Sequence, residues 1–305
     1  MFIYLECNNK DIDIDIIMLA YNHEKYIKQA IESVLQQRTK YRYRILIGED
    51  ASTDNTRQIV TEYYEKYSDK IALILWKANV GGRKNFQQLT KMCQAKYVAI
   101  LEGDDYWTNP LKLEKQITFL EQHDEFVGTA HNVRCVDAEG KFLHKDFDAY
   151  PMREEHVYGI NNALHYELVA QTASIVYRNF WKTWNDEQFA MFEKCCANGD
   201  QKISVLLGIL GNVFYFRDIM ADHRIVFEGS SWTARMNNKN LLEFVHRNEK
   251  EIKELISTLS NTEYDFSDSY KYILEEAFIT LFRDFNRENI GVCLKLIKEK
   301  RNKRR

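Results

Sequence analysis

Ile14-Asp15-Ile16-Ile17-Met18-Leu19-Ala20 is an apolar run of the kind found in a strand covered on both faces. Beyond it, Ile27, Ala30, Ile31, Val34 and Leu35 recur at helical spacing and mark one buried stripe. The same alternation then repeats. Ile45-Leu46-Ile47 reads as a second strand, and Thr53-Asp54-Asn55-Thr56 opens a helix carrying Ile59, Val60, Tyr63, Tyr64 and Tyr67. Ile71 to Trp76 is a third strand, followed by the Gly81-Gly82 turn and a helix from Phe86 to Cys93. Tyr97 to Leu101 is a fourth, and Pro110 starts a helix running through Leu120. Repeated strand–helix units predict an α/β fold, a Rossmann-like, mostly parallel sheet flanked by helices.

The second half is less regular. Phe126 to Val136 and Ala173 to Tyr177 read as further strands, separated by a polar segment around Pro151. An apolar helix covers Ile203 to Leu210, and from about Asn238 three helical stretches predict a helical C-terminal extension. The expected division is a catalytic domain over 1–236, with halves of about 13–125 and 126–236, and a helical region over 237–305. The chain ends in a basic tail with six Lys or Arg among residues 298–305. That tail reads either as solvated chain or as a contact with an anionic membrane.

Composition narrows the function classes. The 305 residues are 45% hydrophobic and 29% charged, with only 2 prolines and 12 glycines, as in a soluble globular protein. A net charge of −3 leaves no basic field for nucleic acid. No run reaches the length of a membrane span. Cysteines 7, 93, 135, 195, 196 and 293 form no C-x-x-C pair, and with no signal peptide in view they read as reduced thiols of a cytoplasmic protein.

In open parallel sheets, ligands bind beyond the carboxyl ends of the strands. Those ends carry Tyr21-Asn22, Glu49-Asp50, Lys77-Ala78-Asn79 and Glu102-Gly103-Asp104-Asp105. Two adjacent aspartates at the end of an apolar strand repel each other unless a cation is near, and hard oxygen ligands suit Mg²⁺ or Mn²⁺. Read by itself, the acidic stretch fits a turn as well as a metal site.

Leu19-Ala20-Tyr21-Asn22, Glu49 to Thr56, Asn79-Val80-Gly81-Gly82 and Glu102-Gly103-Asp104-Asp105-Tyr106-Trp107 follow one another as in glycosyltransferase family 2, and the likeness spans residues 13–232. The resemblance implies the GT-A fold and an inverting, metal-dependent transferase in surface-glycan assembly. Its partners would be a nucleotide-sugar donor, with UDP the commonest nucleotide, and a saccharide or lipid-linked acceptor. A homodimer and a peripheral position at the inner face of the membrane are further expectations. Tyr21, Asn22, Asp50, Asn79, Glu102, Asp104, Asp105 and Arg224 would contact the donor, with Asp104 and Asp105 also holding the metal. Asp200, in Asn198-Gly199-Asp200-Gln201, would be the catalytic base, although an aspartate at a helix start is also an ordinary cap.

Trp107, His131, Gln171, His223 and Trp232 are candidate acceptor or sugar contacts, with core packing the competing reading for Trp107, Trp232 and His131. Two departures stand out. Proline is common in relatives where this chain has Ala20, and a late histidine of the family falls at Val226 here, which weakens the case for a histidine metal ligand. A nucleotidyltransferase is the alternative enzyme, but Tyr21-Asn22-His23-Glu24 lacks its glycine-rich phosphate loop. A non-catalytic sugar-nucleotide-binding protein is the other alternative, and the intact set Asp50, Asp104, Asp105 and Asp200 speaks against it.

Overall fold

The computed structural model describes residues 1–143, 152–164, 167–195 and 199–226, with Glu254 and Ile256 as isolated helical positions. Pro151, Asn198, Trp232, the basic tail, the 236/237 boundary and nearly all of the C-terminal helical region lie outside the described residues.

The strand at the centre is β2 (Ile14–Ala20). It pairs in parallel with β3 (Tyr43–Glu49) on one side and β5 (Tyr97–Glu102) on the other, and β3 pairs in parallel with β4 (Ile71–Trp76). Helices α1 (Ile27–Leu35), α2 (Thr56–Lys66) and α3 (Gly82–Met92) connect these strands. Alternation places Ile16 and Met18 of β2 in one apolar cluster with Ile31 and Val34 of α1, and Ile17 in a second with Phe86 and Leu89 of α3. Both faces are dry, which is why these strands read as unbroken apolar runs. Asp15 is the exception: fully buried, it pairs with Arg44 at 2.7 Å and accepts the Gln94 and Ala95 amides.

Beyond β5 the sheet becomes mixed. β1 (Phe2–Leu5) lies antiparallel to β4 at one edge. β9 (Val176–Arg178) joins β5 to β7 (Phe126–Val136), antiparallel to both. β7 pairs in parallel with β10 (Asn212–Arg224), through register shifts between Phe216 and Ala221. The short β6 (Tyr106–Trp107) and β8 (His156–Tyr158) both run antiparallel to β10. Helices α4 (Lys112–Gln122), α5 (Ile160–Leu164), α6 (Asp186–Lys194) and α7 (Gly199–Leu210) complete the described elements. The mostly parallel sheet expected from the sequence is therefore a parallel block, β4-β3-β2-β5, continued by a mixed one. No helix among the described residues is long and apolar enough to cross a membrane.

Candidate functional site

The chain passes from β2 to β3 on one side and returns to β5 on the other, so a crevice opens where the carboxyl ends of β2 and β5 diverge. Two loops build its near wall, and their backbones are laced together. Ser52 Oγ accepts the Asn22 amide at 3.0 Å, Thr56 Oγ1 that of His23 at 2.7 Å, and Asp54 Oδ2 that of Glu24 at 3.1 Å. In return the Asn22 and Glu24 side chains accept the Thr53 and Asn55 amides. Ser52, Asp54 and Thr56 thus satisfy amides just ahead of α1. Asn22 and Ala51 both hold φ of 56°, which the lacing imposes on non-glycine residues.

At the β3 end, Asp50 is 2% exposed and its carboxylate accepts the Val80 and Gly81 amides at 2.7 and 2.9 Å. Burial raises its pKa, and those two amides partly offset the rise. Asn79 is exposed and donates to the Asp50 carbonyl at 3.2 Å, while Tyr21 stands half-buried where β2 ends. Behind them Glu49, fully buried, pairs with Arg57 at 2.5 Å and accepts the Ser52 amide.

At the β5 end the three carboxylates play different parts. Asp105 is fully buried, and it accepts the Arg224 amide at 2.8 Å, Gln171 Nε2 at 2.8 Å and His223 Nδ1 at 3.0 Å. Both of its oxygens are engaged, and it anchors the ends of β5 and β10 to each other. Glu102 accepts the Thr172 hydroxyl at 3.0 Å, and burial together with Asp105 and Asp104 pushes its carboxyl up to about 8. Burial also raises Asp104, though less once His23 is counted, and its side chain retains 30% exposure. Burial lowers the His223 imidazole, but Asp105, Glu102 and Asp104 outweigh it and hold the ring at about 9.

Arg224 is 5% exposed. Its guanidinium donates to the Asp104 carbonyl and to Gln29 Oε1, and lies 4.4 Å from the centre of the Tyr26 ring. Arg224 thereby clamps the Asp104 backbone to Gln29. Gln171 is 2% exposed and ties Asp105 to the turn before β9, where its Oε1 accepts the Ala173 amide. Gln171 and His223 thus join the acidic cluster from the second half of the chain.

Two expectations do not hold. Trp107 is 4% exposed, donates to the Ala173 carbonyl at 2.8 Å and carries the Lys112 ammonium 4.2 Å over its ring, so it is core rather than a pocket wall. His131 is fully buried in β7 and bonded to the Asn132 carbonyl, with burial holding its pKa well below the ordinary range. Asp200 sits in the first turn of α7, half-buried, and accepts the amide of Gln201 at 2.8 Å. Burial raises its carboxyl pKa, and none of its hydrogen bonds reaches the acidic cluster. Lys202, two positions on, is buried and donates to the Phe192 and Cys195 carbonyls, pinning the end of α6 beside it.

Sequence reasoning missed Thr172 and His23. Thr172 directly follows the candidate Gln171 in the chain. For His23 there was no cue beyond its place after Tyr21-Asn22; its Nε2 lies 3.9 Å from Asp104 Oδ2.

Among the described residues, no group of three or more His, Cys, Asp or Glu side chains is arranged to enclose a metal ion. The donor chemistry nonetheless fits a hard divalent cation shared with a ligand. Asp104 is an open carboxylate beside others whose ionised forms burial disfavours, and Mg²⁺ in particular is commonly held by one or two carboxylates plus substrate phosphates.

Comparison with known proteins agrees with this architecture. A protein of Mycobacterium tuberculosis without an assigned function is 36% identical over 165 residues, covering 54% of this chain and 46% of its own. TuaG of Bacillus subtilis, named for a glycosyltransferase role in teichuronic acid biosynthesis, is 33% identical over 134 residues, 43% of this chain and 52% of its own. The chain spans about half the length of these curated relatives. Among solved structures, S. aureus TarS (residues 1–349) in complex with UDP-GlcNAc superposes with a TM-score of 0.64 at 16% identity, over 95% of this chain and 80% of that one. The likeness identifies the fold as GT-A. The model of glycosyl transferase family 2 matches residues 15–181, more than half of the sequence, and the chain belongs to that family.

Proposed function

We propose that the chain transfers one sugar, with inversion, from a nucleoside-diphosphate donor to a hydroxyl of a saccharide or lipid-linked saccharide. The observation that carries this reading is the division of labour at the β5 end, where Arg224, Gln171 and His223 seal Asp105 while the Asp104 side chain keeps 30% exposure. Tyr21, Asp50 and Asn79 frame the nucleotide end of the crevice. Asp104, together with the donor's phosphates, would hold a divalent metal, Mn²⁺ or Mg²⁺, which when bound would supply positive charge to the leaving diphosphate. Asp200 takes the proton of the attacking hydroxyl as the new glycosidic bond forms and the bond to the diphosphate breaks. One displacement, with the base opposite the leaving group, inverts the anomeric centre.

The TarS complex supports a UDP-sugar as donor, and the name of TuaG supports a surface polysaccharide as the product. A lipid-linked acceptor would place the enzyme at the inner face of the membrane, with the basic tail of residues 298–305 as its contact. The test is a hydrolysis and transfer assay with UDP-, GDP- and dTDP-sugars, run with Mn²⁺ or Mg²⁺ and again with EDTA. Metal-dependent release of one nucleoside diphosphate is expected. Failure to turn over any of the three donors would falsify the reading.

A further inference from the structure

His23 follows the end of β2 and stands beside Asp104, which follows the end of β5. Its backbone is fixed at both ends: its amide donates to Thr56 Oγ1 at 2.7 Å, and its carbonyl accepts the amides of Tyr26 and Ile27. The ring is wedged as well. A Cβ built on Gly103 would lie 2.7 Å from His23 Nδ1 and 2.8 Å from Ile27 Cδ1, so the imidazole rests directly on the Gly103 backbone. Nδ1 is buried there without a hydrogen-bond partner. A buried N–H lacking an acceptor is costly, so the neutral ring favours carrying its proton on Nε2. Nε2 faces Asp104 Oδ2 at 3.9 Å, too long for a hydrogen bond, and the two side chains retain 21% and 30% exposure. A donor of fixed direction therefore sits beside the partly exposed Asp104 carboxylate, at the point where the sheet's topology places a ligand.

We propose that His23 is a diphosphate-binding residue, donating from Nε2 to a non-bridging phosphate oxygen of the nucleoside diphosphate. This inference rests on the donor reading given above. It adds a protein N–H beside Asp104 at the leaving group, where charge accumulates as the glycosidic bond breaks.

The test is calorimetry on the full chain with Mg²⁺, comparing UDP with UMP, and in parallel GDP with GMP and dTDP with dTMP. Wild type should bind at least one diphosphate more tightly than its monophosphate; if it binds none, the donor reading itself fails. In His23→Ala the diphosphate should lose about tenfold in affinity, as for one charge-assisted hydrogen bond, while the monophosphate is unchanged. His23→Gln, which keeps an N–H donor, should recover part of that loss. Equal weakening of both nucleotides would mean that the ring only shapes the loop, and an unchanged diphosphate affinity would mean that it touches nothing; either result overturns the proposal. Thermal melts of each variant identify any loss due to misfolding, and His23→Gln then decides.

Discussion

The carboxylate of Asp105 lies 3.0 Å from Nδ1 of His223, 118 positions away along the chain, while its other oxygen takes the amide of Arg224. One fully buried side chain thereby fastens the end of β5 to the end of β10. Removing it takes one partner each from the half-buried His223 imidazole, the Arg224 backbone amide and the Gln171 side-chain amide. Asp105→Ala is expected to cost roughly 3 kcal/mol of folding stability, read as a fall in the urea midpoint. A midpoint equal to that of wild type would show that the fastening is dispensable.

Gly103 is required by its neighbours. A methyl group there would meet the Leu19 carbonyl at 2.8 Å as well as the His23 ring, and backbone cannot step aside. Gly103→Ala should therefore destabilise by about 1–3 kcal/mol, and adding His23→Ala should recover only part of that. Full recovery in the double variant would place the whole clash on the imidazole.

Thr56 is buried and holds the amide of His23 without facing the crevice. Thr56→Val keeps the shape and deletes the acceptor, at a cost of about 1 kcal/mol. Because the lost bond sets the loop, nucleotide affinity measured by calorimetry should also fall a few-fold. Unchanged affinity would show that the loop holds its position without the threonine.

Asp200 carries the proton transfer in the proposed reaction. Asp200→Asn should lower transfer by about 10²–10⁴-fold while nucleotide affinity stays within error, and undiminished turnover would remove it as the base. Its pH dependence has a definite sign. Burial holds the carboxyl above its ordinary value of about 4, so kcat/KM should decline with falling pH through that raised value. The same shift costs stability once the group ionises. That cost is absent below the unfolded pKa and grows as pH rises toward the folded one. Asp200→Asn should accordingly gain stability relative to wild type as pH rises above about 4, measured by paired melts.

Much of the fold was legible because parallel strands buried on both faces leave an apolar run, broken in β2 only by the paired Asp15. β2, β4 and β5 follow the runs Ile14–Ala20, Ile71–Trp76 and Tyr97–Leu101 closely. β10 was not legible. It carries Arg217, Asp218 and Asp222 among its apolar residues, and register shifts against β7 break the period of two. β1 escaped for a related reason, since it is an edge strand whose Ile3 is 52% exposed. The helix at Pro110 begins two positions later, at Lys112, because residues 109–111 form a turn closed by the Asn109 side chain.

The sequence by itself determined the strand–helix alternation, the order of motifs along the strand ends and, through them, the family. Those features are local, or they recur at set spacings, so one-dimensional reading reaches them. It could not tell Asp104 from Asp105, which are identical in chemistry and adjacent in the chain. Only the tertiary structure decided that one is sealed beneath Arg224, Gln171 and His223 while the other stays open to the crevice. The same holds for Trp107 and His131, plausible sugar contacts by residue type and core residues by position. Burial and hydrogen-bond partners come from segments that folding brings together, and those partners decide whether a polar side chain serves the ligand or the scaffold.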